Sequence, residues 1–252
     1  MIPAPFEYVR AGSAEEAVAT LAEHGDEAKL LAGGMSLLPL MKLRLATPAM
    51  LIDVGRVGEL SYVRDAGDHL EVGALTRHRD LETSELLAAQ CAPLRTVAAE
   101  VGDNQVRHRG TIGGSASHGD PASDLPALLL ALDAVFMIRG PASERTVSAT
   151  EFFRGFLETA LEPDELLTEI RVPKTPGLFT VKVEPCMSAD VSLLERARLT
   201  RSLIARAIPA RLSESALWMT GTMRFWFRAT EMPIWIGLCS AMVPSSLQEE
   251  LR

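Results

Sequence analysis

The sequence is short of cysteine and of positive charge, and it lacks a long apolar run; each shortage excludes a class of protein. Its three cysteines, Cys91, Cys186 and Cys239, stand far apart, with no CxxC and no histidine at metal-ligand spacing. That pattern argues against a disulfide framework and against a zinc site, and for free thiols in a reducing cytoplasm. Basic residues number 25 against 33 acidic, a net charge of −8. A field of that sign repels phosphate backbones, which argues against a nucleic-acid partner. Glu7 and Arg10 fall within the first ten residues, so no apolar signal core is expected there. The longest apolar run, Leu125 to Ile138, is broken by Pro126 and Asp133 and is too short to span a bilayer. The expectation is a cytoplasmic protein without a transmembrane segment, meeting a membrane only if a partner holds it there. What remains is 47% hydrophobic and 23% charged over 252 residues, enough for one large domain or two modest ones.

Tryptophan is missing from the first 176 residues; Trp218, Trp226 and Trp235 all lie near the end. Charge shifts at the same place. Residues 1–176 hold 26 acidic and 16 basic side chains (net −10), leaving 7 and 9 of the 33 and 25 for residues 177–252 (net +2). Such a change marks either a second domain or sequence never selected to fold.

The first part reads as short strands and helices in alternation. Phe6 to Val9 is a strand. Ser13 with Glu16 forms a capping box, followed by the stripe Ala14, Ala17, Val18, Leu21, Ala22 of an amphipathic helix. Ala28 to Ala32 and Met50 to Val54 are strands. Asp65-Ala66-Gly67-Asp68 turns a hairpin between Leu60, Tyr62 and Leu70, Val72. Ser84 to Gln90 is helical, and Pro93 opens another helix through Val101 as its first residue. A polar, glycine-rich loop is expected from Gly102 to Ser123, then a helix capped by Asp124 and a strand from Ala134 to Ile138. Hairpins inserted among alternating elements give an α+β class.

Two glycine loops carry the chemistry. Ala32-Gly33-Gly34-Met35-Ser36 follows a strand, and paired glycines there present consecutive N–H groups as an anion-binding nest for phosphate or diphosphate. Ser36 either donates its hydroxyl or caps the next helical turn. The spacing is neither a dinucleotide fingerprint nor a Walker loop. The second loop, Thr111-Ile112-Gly113-Gly114-Ser115 through Asp120-Pro121-Ala122-Ser123-Asp124, concentrates hydroxyls, glycines and carboxylates. Thr111 and Ser115 suit phosphate or ribityl oxygens, Gly113 and Gly114 allow close approach, and Asp124 either accepts from sugar hydroxyls or a ring N–H or caps a helix. Ser117, His118 and Asp120 are adjacent, but adjacency does not make a triad, and His118 reads better as a loop histidine. Arg107-His108-Arg109 reads as a solvated charge run or as a phosphate contact.

At this separation the two loops, with Phe6-Glu7-Tyr8, Asp53-Val54 and Val72-Gly73-Ala74, resemble the FAD-binding medium subunits of aerobic, molybdenum-type carbon monoxide dehydrogenases, within the xanthine oxidase family. The resemblance covers residues 1–176. It implies a PCMH-type FAD-binding fold of two α+β subdomains, 1–55 and 56–176, followed by an atypical segment, 177–252. It implies FAD as the cofactor, with Ala32, Gly33, Gly34, Met35 and Ser36 on the diphosphate. Thr111, Gly113, Gly114, Ser115 and Asp124 would line the ribityl chain and flavin, with Lys182 near the ring. No catalytic acid, base or nucleophile is demanded of this chain. The partners implied are a large molybdenum-cofactor subunit and a small subunit with two-iron two-sulfur clusters, whose electrons pass through FAD to a quinone or another acceptor.

The family pattern thins at Phe179-Thr180-Val181-Lys182, which keeps the lysine and has Thr180 where a tyrosine is expected; after Glu184 none remains. The reading is a shifted frame from about residue 185. Two alternatives to the electron-transfer subunit follow: a degenerate homologue with impaired flavin binding or assembly, and an oxidase acting alone.

Overall fold

The computed structural model describes residues 2–175 with their side chains, and beyond them the backbone of strands 180–183, 223–229 and 232–238. The chain opens with strand β1 (Glu7–Arg10), helix α1 (Ala14–His24), β2 (Ala28–Leu31), α2 (Leu37–Lys42) and β3 (Met50–Asp53). These strands form a parallel sheet in the order β1-β3-β2, with Tyr8 opposite Leu51 and Leu30 opposite Ile52. Parallel pairing needs a crossover, and α1 supplies it between β1 and β2. Ser13 Oγ caps α1 by accepting the Glu16 N–H at 3.2 Å. The Glu16 carboxylate reaches back one residue further than a capping box requires, to the Gly12 N–H at 2.7 Å. Ala14, Ala17, Val18 and Leu21 are buried; Ala22, expected on the same stripe, is exposed, because it falls roughly 40° beyond that arc.

The second unit is an antiparallel sheet wrapped by helices. Strands β4 (Val63–Asp65) and β5 (His69–Gly73) pair as the expected hairpin, Val63 opposite Val72. Leu60 lies in a 3-10 turn ahead of it rather than in the strand. Then come helices α3 (His78–Thr83), α4 (Glu85–Gln90), α5 (Ala92–Glu100), α6 (Asn104–Arg109), α7 (Ile112–His118) and α8 (Asp124–Ala131). They lead to β6 (Val135–Arg139), β7 (Glu144–Ser148), helix α9 (Ala149–Phe152), the ribbon β8 (Phe153–Gly155) and β9 (Glu158–Thr159), and finally β10 (Leu166–Pro173). The sheet order is β4-β5-β10-β6-β7, so the last strand inserts at the centre and locks the long excursion in place. Its core joins Leu94 and Val97 of α5, Leu125, Leu128 and Leu129 of α8, and Phe136, Ile138, Ile170 and Val172 of the sheet. Phe136 stacks on Phe152 at 4.0 Å between ring centroids, and Phe153 meets both edge-on.

Three local expectations are corrected. The polar stretch 102–123 is mostly helix, α6 and α7, because Asp103 and Thr111 cap those helices and Gly119, in the left-handed region, ends the second. Ser123, with extended backbone, holds the N-cap position of α8, which leaves Asp124 as its first residue. Pro93 is the second residue of α5, after Ala92.

Cys91 is a buried free thiol; Cys186 and Cys239 lie outside the described residues. Strands β11 (Thr180–Val183), β12 (Met223–Ala229) and β13 (Met232–Leu238) form an antiparallel sheet in that order, with Lys182 opposite Trp226. Among the described residues no helix is long and apolar enough to cross a membrane, and no group of three or more His, Cys, Asp or Glu is placed to hold a metal.

Candidate functional site

The two glycine loops, 77 residues apart in sequence at Gly33 and Gly110, meet in space, and the meeting is made by backbone. A Cβ on Gly33 would sit 2.2 Å from the Arg109 carbonyl oxygen and 2.9 Å from Gly110 Cα. Only a glycine lets the segment after β2 lie this close to the turn between α6 and α7. Gly34, at φ +75°, then turns the chain into α2 from the left-handed region. Its carbonyl accepts from Leu38 N–H and Ser36's accepts from Leu40 N–H. The N–H groups of Gly33, Gly34, Met35 and Ser36 donate to no acceptor among the described residues. Four consecutive donors without an acceptor among the described residues, just ahead of α2, are what an anion-binding nest requires. Ser36 itself holds the N-cap position of α2, without a capping hydrogen bond from its side chain.

The opposite loop is tied to its own unit. Ile112 N–H donates to Thr76 O and Gly113 N–H to Ala74 O, at 3.0 and 2.8 Å. A Cβ on Gly113 would meet Ala74 Cβ at 2.5 Å. Gly113 therefore serves the packing of α7 on the segment after β5, and its N–H is already spent there. Thr111 Oγ1 accepts the Gly114 N–H at 3.1 Å, which leaves the hydroxyl hydrogen to point elsewhere. Ser115 Oγ lies 3.0 Å from Ser123 Oγ, which bridges α7 to the start of α8.

Between the loops is a cleft of about 670 Å³, within the ~300–1,000 Å³ common for small-molecule sites. Ala32 to Ser36, Thr111 and Gly113 to Ser115 all line it. The sequence-derived set is thus brought together with two exceptions. Asp124, the first residue of α8, is not among the lining residues, and Lys182 belongs to β11, whose side chains are outside the described residues. Ser117, His118 and Asp120 also line the cleft, but no hydrogen bond joins them; Asp120 Oδ1 accepts from the Ala122 N–H at 2.8 Å. Arg107 faces away from any ligand role: it pairs with Glu82 at 3.1 Å and donates to the carbonyls of Val101 and Gly102. One rim carries Glu162 and Glu165, and Arg145 grips the Glu165 carboxylate at 2.7 and 2.6 Å, holding it below the usual carboxylate range.

His78 is on the cleft wall too, and sequence reasoning passed over it. It is 4% exposed, its Nδ1 has no hydrogen-bond partner among the described residues, and burial, then the nearby Arg107 charge, push its imidazole down to about 4. No local pattern in the sequence marks it, because its neighbour Gly110 is brought to it only by the fold.

Comparison with known proteins places this geometry. A family described as "FAD binding domain in molybdopterin dehydrogenase" matches residues 4–175. The carbon monoxide dehydrogenase medium chain of Hydrogenophaga pseudoflava is 49% identical over 173 residues, 69% of this chain and 60% of that one. The glyceraldehyde dehydrogenase medium chain of Sulfolobus acidocaldarius is 40% identical over 181 residues, 72% and 64% of the two chains. A solved carbon monoxide dehydrogenase from Hydrogenophaga pseudoflava, lacking the Mo-pyranopterin moiety of its molybdenum cofactor, superposes with a TM-score of 0.72 at 45% identity, over 76% of this chain and 68% of that one. The chain spans about 60% of the length of the curated relatives it matches. Its mixed helix and strand architecture is the PCMH-type FAD-binding fold, and the chain belongs to the family of FAD-binding domains of molybdopterin dehydrogenases.

Proposed function

We propose that this chain is the FAD-carrying, electron-transferring medium subunit of a molybdenum hydroxylase of the carbon monoxide dehydrogenase type. The observation that carries the reading is the row of free N–H groups at Gly33 to Ser36, facing Thr111 and Ser115 across one cleft. A diphosphate is the anion that such a row fits, since each N–H points a fixed partial positive charge without a counter-ion to displace. The cleft lining fits FAD, with main-chain donors for the diphosphate and hydroxyls at Thr111 and Ser115 for the ribityl chain; Asp124, outside that lining, is assigned to a ring N–H or sugar hydroxyl by the family resemblance alone. Lys182 is assigned to the flavin end. When bound, FAD supplies the redox chemistry by accepting and releasing electrons singly or in pairs. The protein's part is to hold it in register and to exclude water, and no side chain need act as acid, base or nucleophile.

On this reading residues 1–55 and 56–176 are the two subdomains around FAD, and 177–252 stands where a third domain would follow. Electrons enter from a large molybdenum-cofactor subunit through a small iron–sulfur subunit and leave to a quinone or another acceptor, in the cytoplasm. The test is direct. The full chain is incubated with FAD, desalted, and its visible spectrum recorded. Stoichiometric oxidised-flavin bands support the assignment, and a colourless protein refutes flavin binding by this chain alone. The alternative of a degenerate homologue is favoured by one observation, the loss of family pattern after Glu184, and the same spectrum decides it.

A further inference from the structure

We infer that His78 is a cofactor-binding residue that donates a hydrogen bond through Nε2–H to an oxygen of FAD in the diphosphate stretch; this rests on the FAD reading above. His78 opens α3, and its N–H donates to Gly110 O at 3.0 Å, which fixes the ring's position against the second glycine loop. A Cβ on Gly110 would lie 2.8 Å from both Cδ2 and Nε2 of the ring. A Cβ on Gly33 would lie 2.9 Å from Gly110 Cα on the other side. Imidazole, Gly110 and Gly33 are therefore layered in the seam where the two loops meet, beside the free N–H groups of the first.

The chemistry of the ring follows from its surroundings. It is almost fully buried, and neutral at physiological pH, so it carries one N–H and one bare nitrogen. Nδ1 is buried and has no partner among the described residues. A buried N–H without an acceptor is costlier and rarer than an unused lone pair, which puts the proton on Nε2. His78 lines the cleft, and with Nδ1 buried, Nε2 is the ring nitrogen left to face it. A neutral donor of this kind adds directionality to the backbone nest and needs no protonation change when the anion enters. Among the described residues nothing pairs with Nδ1 of this buried ring, and a buried polar group of that kind calls for an explanation.

The test compares the full chain with three variants in equilibrium titrations of FAD and of riboflavin, read by flavin fluorescence. His78→Leu keeps bulk and removes the donor. His78→Gln puts an amide N–H near the Nε2 position, and His78→Asn replaces only Nδ1. The expected result is a 10–100-fold weaker FAD affinity for Leu and Asn, on the order of one hydrogen bond to a charged group, and near-native affinity for Gln. Riboflavin, which has no phosphate, should bind all four alike. Should the Leu variant unfold, Asn against Gln answers the same question. Unchanged FAD affinity in Leu and Asn overturns the inference. An equal loss in Gln, Leu and Asn for both flavins also overturns it, because the ring would then be a packing wedge only. Failure of the wild-type chain to bind FAD at all would instead sink the functional reading on which the inference stands.

Discussion

Replacing Gly33 by Ala is the sharpest probe of how the site is built. The added methyl would lie 2.2 Å from the Arg109 carbonyl oxygen, 2.8 Å from its carbon and 2.9 Å from Gly110 Cα. All three neighbours are backbone, so no flexible side chain can swing aside. An ordinary contact needs about 3.4 Å, so the two loops must part by about 1.2 Å. Overpacking of that kind costs about 1–3 kcal/mol. The same displacement separates the free N–H row of the first loop from the hydroxyls of the second, and it misplaces hydrogen bonds that tolerate only a few tenths of an ångström. The expected outcome is FAD affinity lower by about 10–100-fold, with a modest fall in melting temperature. Gly34→Ala is a different perturbation: its neighbours are the side-chain ends of Leu38 and Leu31, and its cost is the left-handed φ of +75°, worth about 1–2 kcal/mol. Gly58→Ala is the control, since a Cβ there meets nothing within 4 Å. Fluorescence titration with FAD and thermal melts of the three variants give the comparison. A Gly33→Ala protein that binds FAD as well as Gly58→Ala would refute the loop contact.

Other consequences follow from the same geometry. His78, held at about 4 against an ordinary 6.5, takes up its proton at higher pH in the unfolded chain than in the folded one. Stability should therefore fall as pH drops from 6.5 to 4, by up to about 3 kcal/mol, and His78→Gln should flatten that slope in urea titrations. The exposed Asp65, held at about 2 by Lys174, the Gly67 N–H and Gln90, enters only below its ordinary 3.8 and so does not blur that window. Thr111→Val should cost about 1 kcal/mol through loss of the α7 cap and should weaken FAD binding as well, whereas Thr111→Ser should restore both. Gly113→Ala, with its Cβ 2.5 Å from Ala74 Cβ, should lower the melting temperature of the unit even without flavin. Sequencing the coding DNA across codon 184 should find an insertion or deletion; one clean frame would refute the shifted-frame reading.

Much of this was legible in the residues because local chemistry and tertiary packing agree there. Ser13, Glu16 and the Ala14 to Leu21 stripe specify α1 by themselves, and the turn from Asp65 to Asp68 specifies its hairpin. The stretch from Gly102 to Ser123 was harder. Gly113 and Gly114 carry a helix penalty that reads as loop, and the opposing term is tertiary: Ala74 accepts the Gly113 N–H and leaves room only for a glycine. The parallel order β1-β3-β2 and the central place of β10 depend on contacts across the whole chain, which no local pattern encodes. His78 went unseen for the same reason, because its neighbour Gly110 is distant in sequence.

The glycines of this site divide their labour, and the division explains why the motif needs more of them than a ligand would. Gly33 and Gly113 are required by protein atoms: the first by the Arg109 carbonyl, the second by Ala74. Gly34 is required by backbone conformation. A Cβ on Gly114 would press on Thr111 Oγ1 at 2.8 Å, the atom that caps α7. None of the four is explained first by the approach of a cofactor. What the ligand would meet is the product of that packing: one row of N–H groups released from protein acceptors, one hydroxyl whose oxygen is already committed, and one neutral imidazole in the seam. A site assembled this way is preorganised before any flavin arrives, because the groups that would bind it are held by contacts the flavin does not make. Variants at Gly33 or Gly113 should accordingly disturb the flavin-free protein as well, whereas variants at His78 that keep its bulk should be felt mainly when FAD is present at neutral pH.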